Sequence, residues 1–186
     1  MASSDSCIIT VRGKGGHGAM PQAAVDPVVA ASSIVMALQT IVSRNLAPLE
    51  MGVVTVGAFH AGDAPNVIPG EATLKLTVRA FKPTVRDLLE QRITEIAQTQ
   101  AAVYGANAQV QYQRRYPMLY NNPEQTAFCE RVVRDWMGDG GPGRQRRAGD
   151  RQRGLRVLPR KGAGLLCLHR QWCRRPRRLH GAQPGV

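Results

Sequence analysis

Cysteine is scarce in this chain, with four residues at irregular spacing in 186. That number and spacing do not make a disulfide framework, and they favour a reducing compartment. Long apolar runs are missing too, since no stretch approaches the roughly 18 to 20 residues needed to cross a bilayer. The opening MASSDSCIITVRGKGG lacks a basic segment followed by an apolar one, and so does not read as a signal peptide. Together these absences predict a cytoplasmic protein with no membrane partner. Acidic residues are few in the last quarter: residues 139–186 hold 2 Asp+Glu against 13 Lys+Arg, whereas residues 1–138 hold 11 against 12. The formal net charge of +12 therefore sits almost wholly in the tail. The first 138 residues have the balance of an ordinary globular protein.

What those residues do contain is a regular succession of strand and helix signals. SCIITV is a β-branched run and reads as a strand leading into the glycine-rich loop RGKGGHGAMP. Asp26 offers an N-cap and Pro27 a first helical residue, and VVAASSIVMALQTIVSR continues a helix of about five turns to Asn45. GVVTVGAF is a second strand, followed by HAGDAPNVIPGE, whose prolines and glycines are expected to forbid regular structure. ATLKLTVRAF alternates strictly, with Leu74, Leu76, Val78 and Ala80 on one side and Thr73, Lys75, Thr77 and Arg79 on the other. Thr84 and Asp87 have capping-box spacing and are expected to open a second helix carrying Leu88, Leu89, Ile93, Ile96 and Val103, stopped at Gly105. AQVQYQRRY closes the set as a strand, and a further helix starts near Pro123.

This order predicts an α+β, ferredoxin-like βαββαβ domain over residues 1–116: a four-stranded antiparallel sheet with two helices on one face. Residues 117–138 would hold the third helix, and residues 139–186 a basic tail without order.

Chemistry could reside at few places. GKGGHG is only superficially a phosphate-binding loop, because its lysine precedes the glycine pair and no Ser or Thr follows it. Gly15, Gly16 and Gly18 would instead hold His17 at an exposed loop position; on that ground alone a solvated side chain is the simpler reading. Arg79 on a polar sheet face has the alternative of being an ordinary surface cation, and His60 receives no role. In the tail, Cys167, His169, Cys173 and His180 match no common zinc spacing. Its 13 cations, without aromatic platforms or apolar periodicity, would bind polyanions weakly, so no specific nucleic acid is expected.

The combination of GKGGHGAMP, AVDPVVAAS and NVIPGEATLKLTVR resembles the lid domain of the M20 metallopeptidase and amidohydrolase family, most closely its hippurate hydrolase and N-acyl amino acid amidohydrolase branch. The resemblance covers residues 1 to about 138. It rests on the spacing of a loop His, an Asp-Pro helix start, the NVIP loop and an Arg thirteen residues after its Asn. It implies a metal-dependent amidohydrolase of N-acyl amino acids, with divalent zinc or manganese in full-length members and a homodimer paired through the lid. By the same resemblance His17 stabilises the oxyanion of a tetrahedral intermediate, usually in the neighbouring subunit's site, while Asn66 and Arg79 bind the substrate carboxylate. The family's metal ligands and general base lie mostly upstream of the lid. No metal is therefore expected on this chain, Met1 is expected to be internal to a longer gene, and the isolated chain is expected to be inactive. A stand-alone dimerisation or binding module is the alternative.

Downstream, the family carries GSEDFA, IGNG and HNPGYDF. Shifted codons allow TGSEDFAF across Asp150–Leu158, FIGNG across Leu168–Cys173 and CMVHNPG across Leu179–Val186. The tail thus reads as out of frame from a point between about Gly138 and Gly149, its cysteines, histidines and arginines being accidental.

Overall fold

The computed structural model describes residues 1–137. The expectations placed on the tail, including its frame and its Cys and His set, lie outside the described residues. Residues 1–120 fall in one unit, and residues 121–137 belong to a second.

The first unit runs β1 (Ser4–Arg12), β2 (Gly16–His17), α1 (Pro27–Thr40), β3 (Gly52–Ala61), β4 (Val67–Ile68), β5 (Glu71–Ala80), α2 (Pro83–Val103) and β6 (Asn107–Tyr116). β1, β3, β5 and β6 form one antiparallel sheet in the order β3-β5-β1-β6, and β2 pairs with β4 apart from it. This is the predicted ferredoxin-like sheet. The second unit contributes α3 (Pro123–Met137), which begins where the sequence placed it.

Alternation decides which face of the sheet is covered. Cys7, Ile9 and Val11 of β1 and Leu74, Leu76, Val78 and Ala80 of β5 are buried beneath the helices. Thr73, Lys75, Thr77 and Arg79 lie on the opposite, open face. α1 starts because the Asp26 carboxylate accepts a 2.8 Å hydrogen bond from the Val28 N–H and Pro27 needs no N–H partner. Its inner stripe of Ala30, Ala31, Ile34 and Leu38 is fully buried, and one π-helical turn, Ile41–Asn45, carries the stripe on to Ile41. By length and composition the 19 residues Pro27–Asn45 could cross a membrane. This corrects the expectation drawn from apolar runs: Ser32, Ser33, Gln39, Thr40 and Ser43 interrupt the run without charge, and Arg44 near its end is the one charged residue. Its buried stripe makes it the core helix of this sheet.

α2 corrects two further expectations. Its N-cap is Lys82, without a side-chain cap, and Pro83 takes the first helical position. Thr84 is therefore already inside the helix and forms no capping box. The buried stripe is Val85, Leu89, Ile93, Ala97 and Ala101, spaced by four, and Val103 lies off it and is 70% exposed. The predicted stop holds. Gly105 has φ +72°, its N–H donates to the Ala102 carbonyl, and the Ala106 N–H donates to the Ala101 carbonyl at 2.9 Å. That pair of bonds is a Schellman closure, in which the left-handed residue is glycine because it carries no Cβ.

Among the described residues Asp5, on β1, is the one charged residue that is buried, at 2% exposed. It accepts hydrogen bonds from Arg86 Nε (2.8 Å) and Nη2 (2.5 Å) on α2, from the Tyr112 hydroxyl (3.1 Å) and from the Arg115 backbone N–H (3.1 Å) on β6. The β1–β6 register shifts at this point, between Ser4 and Asp5, so the carboxylate takes up an amide that the ladder leaves irregular. Burial by itself raises the Asp5 carboxyl; the Arg86 hydrogen bonds and charge, the Arg115 N–H and the Tyr112 hydroxyl outweigh it and hold the group below its ordinary value. Beside it on β1, burial pushes the Cys7 thiol up to about 12.

Candidate functional site

The glycine-rich loop after β1 and the NVIP loop after β3 are stitched together by backbone. The Gly13 N–H donates to the Gly70 carbonyl (3.0 Å), Gly16 pairs with Ile68 and His17 with Val67, and the Gly18 N–H donates to the Asn66 carbonyl (2.8 Å). Lys14 and Val25 exchange two bonds of 2.9 Å and close the glycine loop on itself. The expectation that HAGDAPNVIPGE has no regular structure is thus corrected at Val67–Ile68. Its prolines and glycines flank that dipeptide and leave both of its residues free to pair, and the β-branched pair inside NVIP was the available signal. His60 and Ala61, counted with the loop, belong to β3.

Two glycines are required here by close approach. A Cβ on Gly13 would lie 2.1 Å from the Val25 carbonyl oxygen, and one on Gly18 would lie 3.0 Å from that of Asn66.

His17 and Asn66, distant in sequence, become neighbours across this ladder. Both are exposed. The Met20 N–H closes a turn on the His17 carbonyl (2.8 Å), and the Ala19 N–H donates to His17 Nδ1 (3.1 Å). The imidazole therefore presents Nε2 outward.

Arg79 is not brought to them. It stands opposite Val53 near the far end of β5, whereas the ladder adjoins the end at which Arg12 pairs with Glu71. The eight residue steps from Glu71 to Arg79 correspond to roughly 26 Å of strand. Arg79 is half-buried on the open face, and its Nη1 is shielded from solvent with no hydrogen-bond partner among the described residues. A guanidinium nitrogen so placed suits an incoming anion. Among the described residues no three His, Cys, Asp or Glu side chains gather closely enough to hold a metal ion.

A model of the peptidase dimerisation domain of the M20 family matches residues 3–105. The hippurate hydrolase of Campylobacter jejuni is 42% identical over 139 residues, which are 75% of this chain and 36% of that enzyme. A solved structure of an aminohydrolase from methicillin-resistant Staphylococcus aureus is 36% identical with a TM-score of 0.65, over 72% of this chain and 34% of that one. A dinuclear metal-binding peptidase of the M20 family from Bacillus subtilis is 29% identical with a TM-score of 0.53, over 67% and 29%. The chain spans about a third of the length of these relatives. The paired loops, the ferredoxin-like sheet and the match over residues 3–105 agree that the chain belongs to the M20 family through its peptidase dimerisation domain.

Proposed function

We propose that this chain is the lid and dimerisation part of a cytoplasmic M20 amidohydrolase that cleaves the amide bond of N-acyl amino acids of the hippurate kind. The observation that carries the reading is the β2–β4 ladder, which sets His17 beside Asn66 and leaves the outward imidazole nitrogen as a hydrogen-bond donor. An oxyanion forming at a tetrahedral carbon needs such a donor, fixed before the charge develops. Arg79 supplies a guanidinium for the carboxylate of the amino-acid half of the substrate.

The described residues do not fit a metal pair, so in this reading the activation of water falls to a part of the enzyme outside them. The separation along β5 adds a constraint. Arg79 stands eight residue steps along β5 from the end that adjoins the ladder, which favours a homodimer in which His17 and Asn66 come from one protomer and Arg79 from the other.

Two measurements test this. The isolated chain, incubated with hippurate and added zinc or manganese, is expected to show no turnover, and hydrolysis above the blank would overturn the fragment reading. Residues 3–116 grafted in place of the lid of the staphylococcal aminohydrolase are expected to support turnover. In that chimaera His17→Ala should lower kcat by about 10²- to 10³-fold, the range for losing one oxyanion donor, while Arg79→Met should act mainly on KM. Unchanged kcat in the His17 variant would remove the histidine from the chemistry. A stand-alone dimerisation module is the second reading, favoured by the complete core of residues 1–120. A chimaera without activity and a chain that dimerises on its own would support it.

A further inference from the structure

We infer that the His17–Ala19 turn is a tautomer lock: the backbone engages Nδ1 of His17 as an acceptor, so the imidazole presents Nε2–H outward as a donor. The inference rests on the reading of His17 as an oxyanion donor and goes past it, to which proton the ring carries and what sets it.

Three observations converge. The Ala19 N–H points at Nδ1 at 3.1 Å, which requires a lone pair on that nitrogen and places the ring proton on Nε2. The turn that aims this N–H is closed by the Met20 N–H on the His17 carbonyl at 2.8 Å. The same turn is clamped from outside, because the Gly18 N–H donates to the Asn66 carbonyl at 2.8 Å, and a Cβ on Gly18 would lie 3.0 Å from that oxygen and 3.1 Å from its carbon. Gly18 and Ala19 are thus positioning residues that act through the imidazole.

The chemical consequence is specific. A ring with Nδ1 engaged by a backbone donor keeps its proton on Nε2. The nitrogen left facing outward is then the one that carries the ring proton, so what the turn presents to a substrate is a hydrogen-bond donor. Asn66 shares the clamp, so the donor and its neighbour are placed by a single piece of backbone.

The test uses nitrogen NMR on the full chain, labelled with ¹⁵N, at about pH 8.5, some two units above the ordinary imidazole range. The expected result is a protonated Nε2, an unprotonated Nδ1 and a scalar coupling across the Ala19 N–H to Nδ1. Gly18→Ala should abolish that coupling and speed hydrogen exchange of the Ala19 amide by about fivefold, the loss of one ordinary hydrogen bond. Gly70→Ala, where an added Cβ meets nothing within 4 Å, should leave both unchanged. A protonated Nδ1 in the unaltered chain, or a coupling that survives Gly18→Ala, overturns the inference. These readouts require no turnover, so an inactive chimaera combined with an intact coupling would sink the oxyanion role while leaving the lock in place.

Discussion

Replacing Asp5 by Asn keeps the shape of the side chain, removes its charge and turns one of its two accepting oxygens into a donor that faces other donors. In the folded chain that charge is matched by Arg86, whose side chain is 13% exposed against 0% for Asp5. Breaking a buried pair by neutralising one partner leaves the other uncompensated, at a cost of about 3 to 5 kcal/mol. Arg86 keeps some access to water, so the lower end, about 3 kcal/mol, is expected. For a unit of this size that corresponds to a drop in melting temperature of about 10 to 20 °C. Urea unfolding followed by far-ultraviolet circular dichroism measures it directly. The double variant Asp5→Leu/Arg86→Met should lose much less than the sum of the two single changes, because neither charge is then stranded.

The pH dependence has a definite sign. Asp5 is held below its ordinary value in the folded state. Its contribution is therefore present above the ordinary carboxylate range of about pH 4 and disappears as pH falls through the lower folded value. The gap between the unaltered chain and Asp5→Asn should be full at pH 7 and should shrink in acid. A variant within about 1 kcal/mol of the unaltered chain at pH 7, or single effects that simply add, would refute this account of the network.

Other outcomes follow from the same geometry. Gly105→Ala forces a Cβ into the left-handed conformation at the end of α2 and should cost about 1 to 2 kcal/mol in the same unfolding assay, although the Cβ would meet only the Val25 methyls, at 3.9 and 4.0 Å. Tyr112→Phe removes one hydrogen bond to a charged acceptor and should cost about 1.5 to 3 kcal/mol, less than Asp5→Asn. Cys7, buried and with its thiol pushed up to about 12, should resist alkylation at pH 8 in the folded chain and react once urea unfolds it, as read by peptide mass spectrometry. Sequencing the locus should reveal SEDFA in the next frame across Asp150–Leu158; its absence would end the displaced-frame reading of the tail.

What could be read from the sequence was local. The Asp26–Pro27 helix start, the alternation of ATLKLTVRAF and the Gly105 stop each depend on residues within a few positions of one another, and each appears where it was expected. The start of α2 was misplaced because two local signals competed, and proline at the first helical position prevailed over the Thr84 cap. The site was legible only in its members. His17 and Asn66 meet through a two-residue ladder that composition argued against, and nothing local shows that Ala19 would offer its amide to the imidazole. Asp5 and Arg86 are a pair joined solely by the fold, β1 to α2, and neither residue announces the other. Arg79 follows Asn66 by thirteen residues, and most of that interval is the extended strand β5, so where it stands relative to Asn66 is set by the sheet and not by local sequence.

The length of β5 has a genetic consequence. On the proposed division of the site, with Arg79 roughly 26 Å along β5 from the Glu71 end that adjoins the His17–Asn66 ladder, lesions at the two places would fall into separate complementation groups. A dimer assembled from one His17→Ala chain and one Arg79→Met chain would hold one doubly damaged site and one intact site. Two chains damaged at the same end can never restore either.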